Sequence, residues 1–165
     1  GPRVRGPVRP RGGSGAREGG VQMRISNRPS PWYWLVAVAM LAWNGMGVMA
    51  YIAQTTMTPE TLAALPEAER AVYANMPAWV TAAFAFAVFG GAAGCLLLLL
   101  RSRWAVPVLL LSLVGVIAQM SYVVVISKGH EVYGPGGMVM PAMVLAGALF
   151  LVWYALRARR RGWLR

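Results

Sequence analysis

The feature that most constrains this chain is a set of four apolar stretches without a single Asp, Glu, Lys, Arg or His among them. Each is about 20 residues long, the length a helix rising about 1.5 Å per residue needs to cross about 30 Å of hydrocarbon. A soluble core makes no such demand. The expected spans are Pro31–Ala53, Pro77–Leu100, Trp104–Ser127 and Met138–Leu156. Helices are the default, because lipid offers no partner to an unpaired backbone amide or carbonyl. The runs also lack the strict alternation and roughly ten-residue spacing of an outer-membrane barrel. The expected fold class is therefore all-α, a membrane-spanning four-helix bundle.

Charge orients the spans. The net charge of +11 would suit a nucleic-acid partner, but the basic residues sit at the ends of apolar runs rather than on one soluble face. Setting aside the first 22 residues, the side that holds the N-terminus carries Arg24, Arg28, Arg101, Arg103, Arg157, Arg159, Arg160, Arg161 and Arg165. The opposite side carries Arg70 and Lys128 alone. In short loops such asymmetry predicts that both termini are cytoplasmic. The cytoplasmic face is then expected to meet anionic lipid headgroups. Trp32, Tyr33, Trp34, Trp104, Trp153 and Tyr154 fall at the inner interface, with Tyr51, Tyr73, Trp79 and Tyr133 at the outer one. This is the belt that amphipathic rings form at headgroup depth.

Residues 1–22 are rich in Arg, Gly and Pro and contain no apolar run, so they are expected to lack packed structure. They read either as a disordered cytoplasmic tail or as sequence upstream of a natural start at Met23. No cleavable signal is evident, since the first apolar run is of spanning length. The outer loop Gln54–Met76 is long enough for short helices. Thr58-Pro59-Glu60 supplies an N-cap, a proline at the first position and an acid in the first turn, and Pro66-Glu67-Ala68-Glu69 offers a second start. A capped linker is the favoured reading of this loop over a segment lying on the membrane. Arg101-Ser102-Arg103 is so short that the second and third spans must be antiparallel neighbours.

The chain also matches itself. Met76–Phe89 and Met140–Trp153 agree at seven of fourteen positions, and Trp34–Leu41 and Trp104–Leu111 at four of eight. This suggests a duplicated helical hairpin with parallel repeats related by an axis along the membrane normal.

Within the spans, polar residues are few. Asn44 lies near the middle of the first, within Trp43-Asn44-Gly45-Met46-Gly47, and an amide at that depth should face the bundle. Gln119 in the third span lies about one helical turn away in depth, so an Asn44–Gln119 hydrogen bond is expected, with Ser112 or Ser121 as alternative partners. The favoured role is interhelical glue of about 1 kcal/mol, and the alternative is a polar lining for a solute path that includes Thr81. Gly45 and Gly47 suit close helix approach or a bend. Gly90 and Gly94, four positions apart within Gly90-Gly91-Ala92-Ala93-Gly94, mark a tight helix contact. Cys95 is alone and reads as a small packing residue. Met46, Met49, Met57, Met76, Met120, Met138, Met140 and Met143 gather in the outer half with His130, but without compact ligand spacing they read as gap fillers rather than a Cu(I) site. No cofactor or metal is expected. With no nucleophile–base pair, phosphate loop or carboxylate dyad, an enzyme is not expected either.

Trp43-Asn44 with Gly47, Gln54-Thr55, Met76-Pro77-Ala78-Trp79, Arg101-Ser102-Arg103-Trp104-Ala105 and the Arg-rich end before Gly162-Trp163 resemble a family of small four-span proteobacterial inner-membrane proteins. Its uncharacterised members often carry the label of sugar transporter. The resemblance runs from about Met23 to Arg165 and implies a bacterial inner-membrane location, but supplies no binding residues. Two functions follow. The preferred one is an accessory or structural membrane component, and a homo-oligomer or a larger membrane complex is an expected assembly under either reading. The other is a small transporter-like or channel-like module for an uncharged solute.

Overall fold

The computed structural model describes Gly1 and residues 28–165, and the expectation of an unstructured extension over residues 1–22 falls outside them. Among the described residues all regular structure is helical. Four long helices, α1 (Pro31–Thr55), α4 (Ala78–Leu99), α5 (Ala105–Ser121) and α7 (Val139–Arg160), alternate with short ones. The short ones are α2 (Pro59–Ala63), α3 (Glu67–Ala74) and α6 (Gly129–Gly137). A π-helical turn, Tyr122–Ile126, extends α5, so the stretches long and apolar enough to cross a membrane are Pro31–Thr55, Ala78–Leu99, Ala105–Ile126 and Val139–Arg160. They match the expected spans to within a few residues at each end.

Prolines set the helix starts. Pro31 and Pro59 open α1 and α2, while Pro107 and Pro141 lie in the first turns of α5 and α7. A missing N–H costs nothing there, because those amides have no intrahelical partner. Thr58 caps α2 as expected, its Oγ1 accepting from the Thr61 amide at 3.2 Å. Two helix ends close as Schellman motifs. After α7, Gly162 takes φ +67°, its amide donating to the Arg159 carbonyl (3.0 Å) and that of Trp163 to Ala158 (3.0 Å). After α4 the left-handed residue is Arg101 (φ +57°), with Arg101 and Ser102 amides donating to Leu98 and Leu97, each at 2.8 Å. Reversal of the chain within Arg101–Arg103 depends on that left-handed turn.

The long helices pack in the order α1–α4–α5–α7, and the α4–α5 interface is the most extensive. Small residues explain it. A Cβ added at Gly115 would lie 2.8 Å from both the Ala83 carbonyl oxygen and the Ala87 amide nitrogen, so only a glycine permits this approach. Gly90 and Gly94 face Ser112 and Leu109 of the same partner helix. The tight contact expected of this pair is therefore made inside the chain, between α4 and α5. Gly47 packs on Val88 of α4, whereas Gly45 faces no neighbouring helix within 4 Å.

The core lies in the half of the bundle near the Arg101–Arg103 loop. Ala37, Cys95, Leu98, Ala105, Val106, Leu109, Leu151, Val152 and Ala155 form it, with contributions from all four long helices. The outward faces are apolar as well. On α5, Leu110, Val114 and Ile117 are 43–62% exposed at helical spacing, while Leu109, Ser112 and Val116 on the opposite face are buried. Such continuous apolar exposure needs lipid to cover it. The chain is thus a small, all-helical, multi-pass membrane protein.

Candidate functional site

The same end of the bundle is sealed by aromatic rings. Tyr33 is fully buried and its hydroxyl donates to the Leu98 carbonyl of α4. Its ring stacks on Tyr154 of α7 at 6.0 Å and meets Trp163 edge-on at 5.6 Å. The Arg101 guanidinium Nε donates to the Trp163 carbonyl (2.8 Å), and Arg101 and Arg103 exchange backbone hydrogen bonds with Arg165 at 2.6 and 2.8 Å. The segment after α7 is in this way laid across the α4–α5 loop, with Leu164 against the core.

Toward the other end the helices part. A cavity of about 310 Å³ opens there, lined by one stripe from each long helix. From α1 come Trp43, Asn44, Met46, Gly47 and Ala50; from α7, Met140, Pro141, Val144, Gly147 and Ala148. Spacings of three and four residues put each set on one helix face. Its back wall is Phe84, Ala87 and Val88 of α4 with Ser112, Val116 and Gln119 of α5. Met46 and Met140, each 60% exposed, flank the opening between α1 and α7.

The structure brings together three of the five polar residues expected to matter. Asn44, Gln119 and Ser112 all line the cavity. The hydrogen bonds expected between them are not formed, and the reason is local supply. The Asn44 amide donates instead to the Met40 carbonyl one turn earlier (2.8 Å) and to the Cys95 sulfur of α4 (3.7 Å). Its Oδ1 rests on Gly91, where an added Cβ would lie only 1.9 Å away. Cys95, expected only to pack, is fully buried and also serves as this acceptor. Ser112 donates to the Ala87 carbonyl across the α4–α5 interface at 2.6 Å. Gln119 lines the cavity half-buried, and none of the described residues hydrogen-bonds its carboxamide. Thr81 lies outside the lining. Ser121 is exposed and bonds back to the Ile117 carbonyl of its own helix at 2.9 Å.

Sequence reasoning did not single out Trp43 as a lining residue. It is half-buried, and its indole nitrogen faces Gly147 of α7, 3.6 Å from where a Cβ would stand. None of the described residues accepts from it. Trp43 turns toward α7 while its neighbour Asn44 turns toward Gly91 and Cys95 of α4.

Tyr133 of α6 lies near Glu69 and Tyr73 of α3. Burial pushes the Tyr133 phenol above the ordinary value of 10.0, and the Tyr73 phenol and Glu69 carboxylate act in the same direction. Lys128 and His130 are exposed beside Glu131, at 3.8 and 3.7 Å. No group of three His, Cys, Asp or Glu side chains arranged to hold a metal occurs among the described residues. No family model matches this chain, and no curated protein or solved structure is significantly similar to it.

Proposed function

We propose that this is an accessory or structural protein of the bacterial inner membrane, without catalytic activity, with both termini cytoplasmic. The observation that carries this reading is the use made of mid-span polarity. Asn44 and Ser112 direct their donors at Met40, Cys95 and Ala87 within the bundle rather than along a path. The aromatic seal of Tyr33, Tyr154 and Trp163 also stands between the cavity and the basic end, which does not suit a through-channel. Assembly as a homo-oligomer or within a larger membrane complex belongs to this reading, as does contact between the basic end and anionic headgroups. Arg157 and Arg161 lie over the Trp153 and Trp163 rings at 5.6 and 5.2 Å, an arrangement suited to a headgroup layer.

One observation favours a transporter-like module for an uncharged solute: the cavity itself, with Asn44, Gln119 and Ser112 in its wall. The hairpin duplication would suit that reading. In each half a long outer connection with a short helix joins the two spans, α2 and α3 between α1 and α4, α6 between α5 and α7.

Asn44→Leu separates the two. Under the accessory reading the variant loses bundle stability, and the parent protein moves no solute into proteoliposomes. Solute uptake by the parent that vanishes in a variant of undiminished stability would establish the transporter reading instead. Orientation is tested separately by reporter fusion at Gly136, which must report the outer side.

A further inference from the structure

The cavity combines an apolar wall with two hydrogen-bonding groups that the protein leaves unused. The indole N–H of Trp43 and the carboxamide of Gln119 both line it, and neither meets a partner among the described residues. The donors of other polar side chains at similar depth, Asn44 and Ser112, are taken up by backbone carbonyls. An amide without a partner in hydrocarbon is costly, so the two free groups mark where an outside partner is needed. No ionisable side chain lines the cavity, which would leave a charged guest uncompensated. The volume, about 310 Å³, lies at the low end of the roughly 300–1,000 Å³ typical of ligand sites. Entry is fixed by the architecture: the core and aromatic rings close one end, and the exposed Met46, Ala50 and Met140 frame a side opening between α1 and α7.

We infer that the cleft between α1 and α7 is a binding site for one uncharged amphiphile, with an apolar body and a neutral head bearing carbonyl or hydroxyl groups, admitted from the lipid side. Its body lies against Val88, Val116 and Val144. Its head accepts from the Trp43 indole and exchanges hydrogen bonds with the Gln119 carboxamide. This goes beyond an accessory role and requires only that the bundle sit in a bilayer.

The test uses the full chain in lipid nanodiscs with a photoreactive diazirine analogue of monodecanoylglycerol, labelled sites being mapped by peptide mass spectrometry. Expected is saturable labelling of α1 and α7 at the cleft, displaced by unlabelled monodecanoylglycerol but not by decanoate or a headless alkane. Gln119→Leu should weaken it about tenfold, the order expected for one lost hydrogen bond in an apolar site. Ala50→Phe, which sets a ring at the exposed mouth, should nearly abolish labelling with helical content unchanged. Labelling spread evenly over lipid-facing Leu110, Val114 and Ile117 would overturn the inference. So would equal labelling by the headless probe, which would mean ordinary lipid chains fill the cleft, or a cleft shielded by a second copy of the chain. Insensitivity to Gln119→Leu would remove the assigned role of the head. An orientation opposite to that proposed would leave these outcomes unaffected.

Discussion

Replacing Gly115 by Ala tests the packing on which everything else rests. The new methyl would stand 2.8 Å from the Ala83 oxygen and 2.8 Å from the Ala87 nitrogen. Ordinary contact needs about half an ångström more, and both obstacles are backbone, so no rotamer change relieves them. The helices α4 and α5 must separate. A gap of that size forfeits about a quarter of the dispersion energy of the atoms that lose contact, along the largest interface in the molecule. It also stretches the Ser112–Ala87 hydrogen bond, now 2.6 Å, one turn away. Overpacking of this kind costs about 1–3 kcal/mol, against a gain of up to about 1 kcal/mol from replacing a helical glycine. Gly45→Ala is the control, since it earns the same helical gain and meets no neighbouring helix within 4 Å. In reversible unfolding by increasing SDS in mixed micelles, followed by circular dichroism, Gly115→Ala should lose about 1–2 kcal/mol while Gly45→Ala should be neutral or stabilised. Equal midpoints for the two variants would refute the close α4–α5 approach.

Gly91→Ala should displace the Asn44 side chain, so a double-mutant cycle with Asn44→Ala should show coupling of about 1 kcal/mol or more in the same unfolding assay. Trp163→Ala removes the ring that covers Tyr33 and should cost about 1–3 kcal/mol while speeding hydrogen exchange at the α1 end near Tyr33, with the cavity at the other end of the bundle unaffected. The Tyr133 phenol has a raised pKa, so the folded state holds its proton more tightly than the unfolded state. Its contribution to stability is complete below the ordinary value of 10.0 and is lost as pH rises through the folded value. Subtracting the ultraviolet tyrosinate titration of Tyr133→Phe from that of the parent should isolate a transition above pH 10.

The four spans were legible because their constraint is one of length and charge, and both are written residue by residue. The left-handed turns that end α4 and α7 were not read from the sequence: Gly162 is a residue suited to one, but Arg101 performs the same turn with nothing in its side chain to signal it. The site was harder to read. Asn44 could be placed facing the bundle from the cost of an amide in lipid, yet its partner could not be named, since a sequence carries helix depth but not rotation. Met40, one turn away on the same helix, and Cys95 on α4, rather than Gln119, accept from it. Ser121 looked equivalent to Ser112 for the same reason, though one is exposed and the other buried against Ala87. The cavity is a property of how four stripes fail to meet, and no single segment records it.

The uneven seam between α1 and α7 has a mechanical side. These helices are stacked at Tyr33 and Tyr154 and approach again where Met40 and Trp43 face Gly147, and each otherwise leans on its own neighbour, α1 on α4 and α7 on α5. Ala50 is seven positions beyond Trp43, a lever arm of about 10 Å at helical rise. A tilt of about 5° around that point would move the cleft's rim by about 1 Å, against Gly47 packed on Val88 and Tyr51 packed on Phe84 and Phe89 of α4. Widening the rim therefore strains α1–α4 contacts before it reaches the core, so the seat of α1 on α4 sets the width of the cleft.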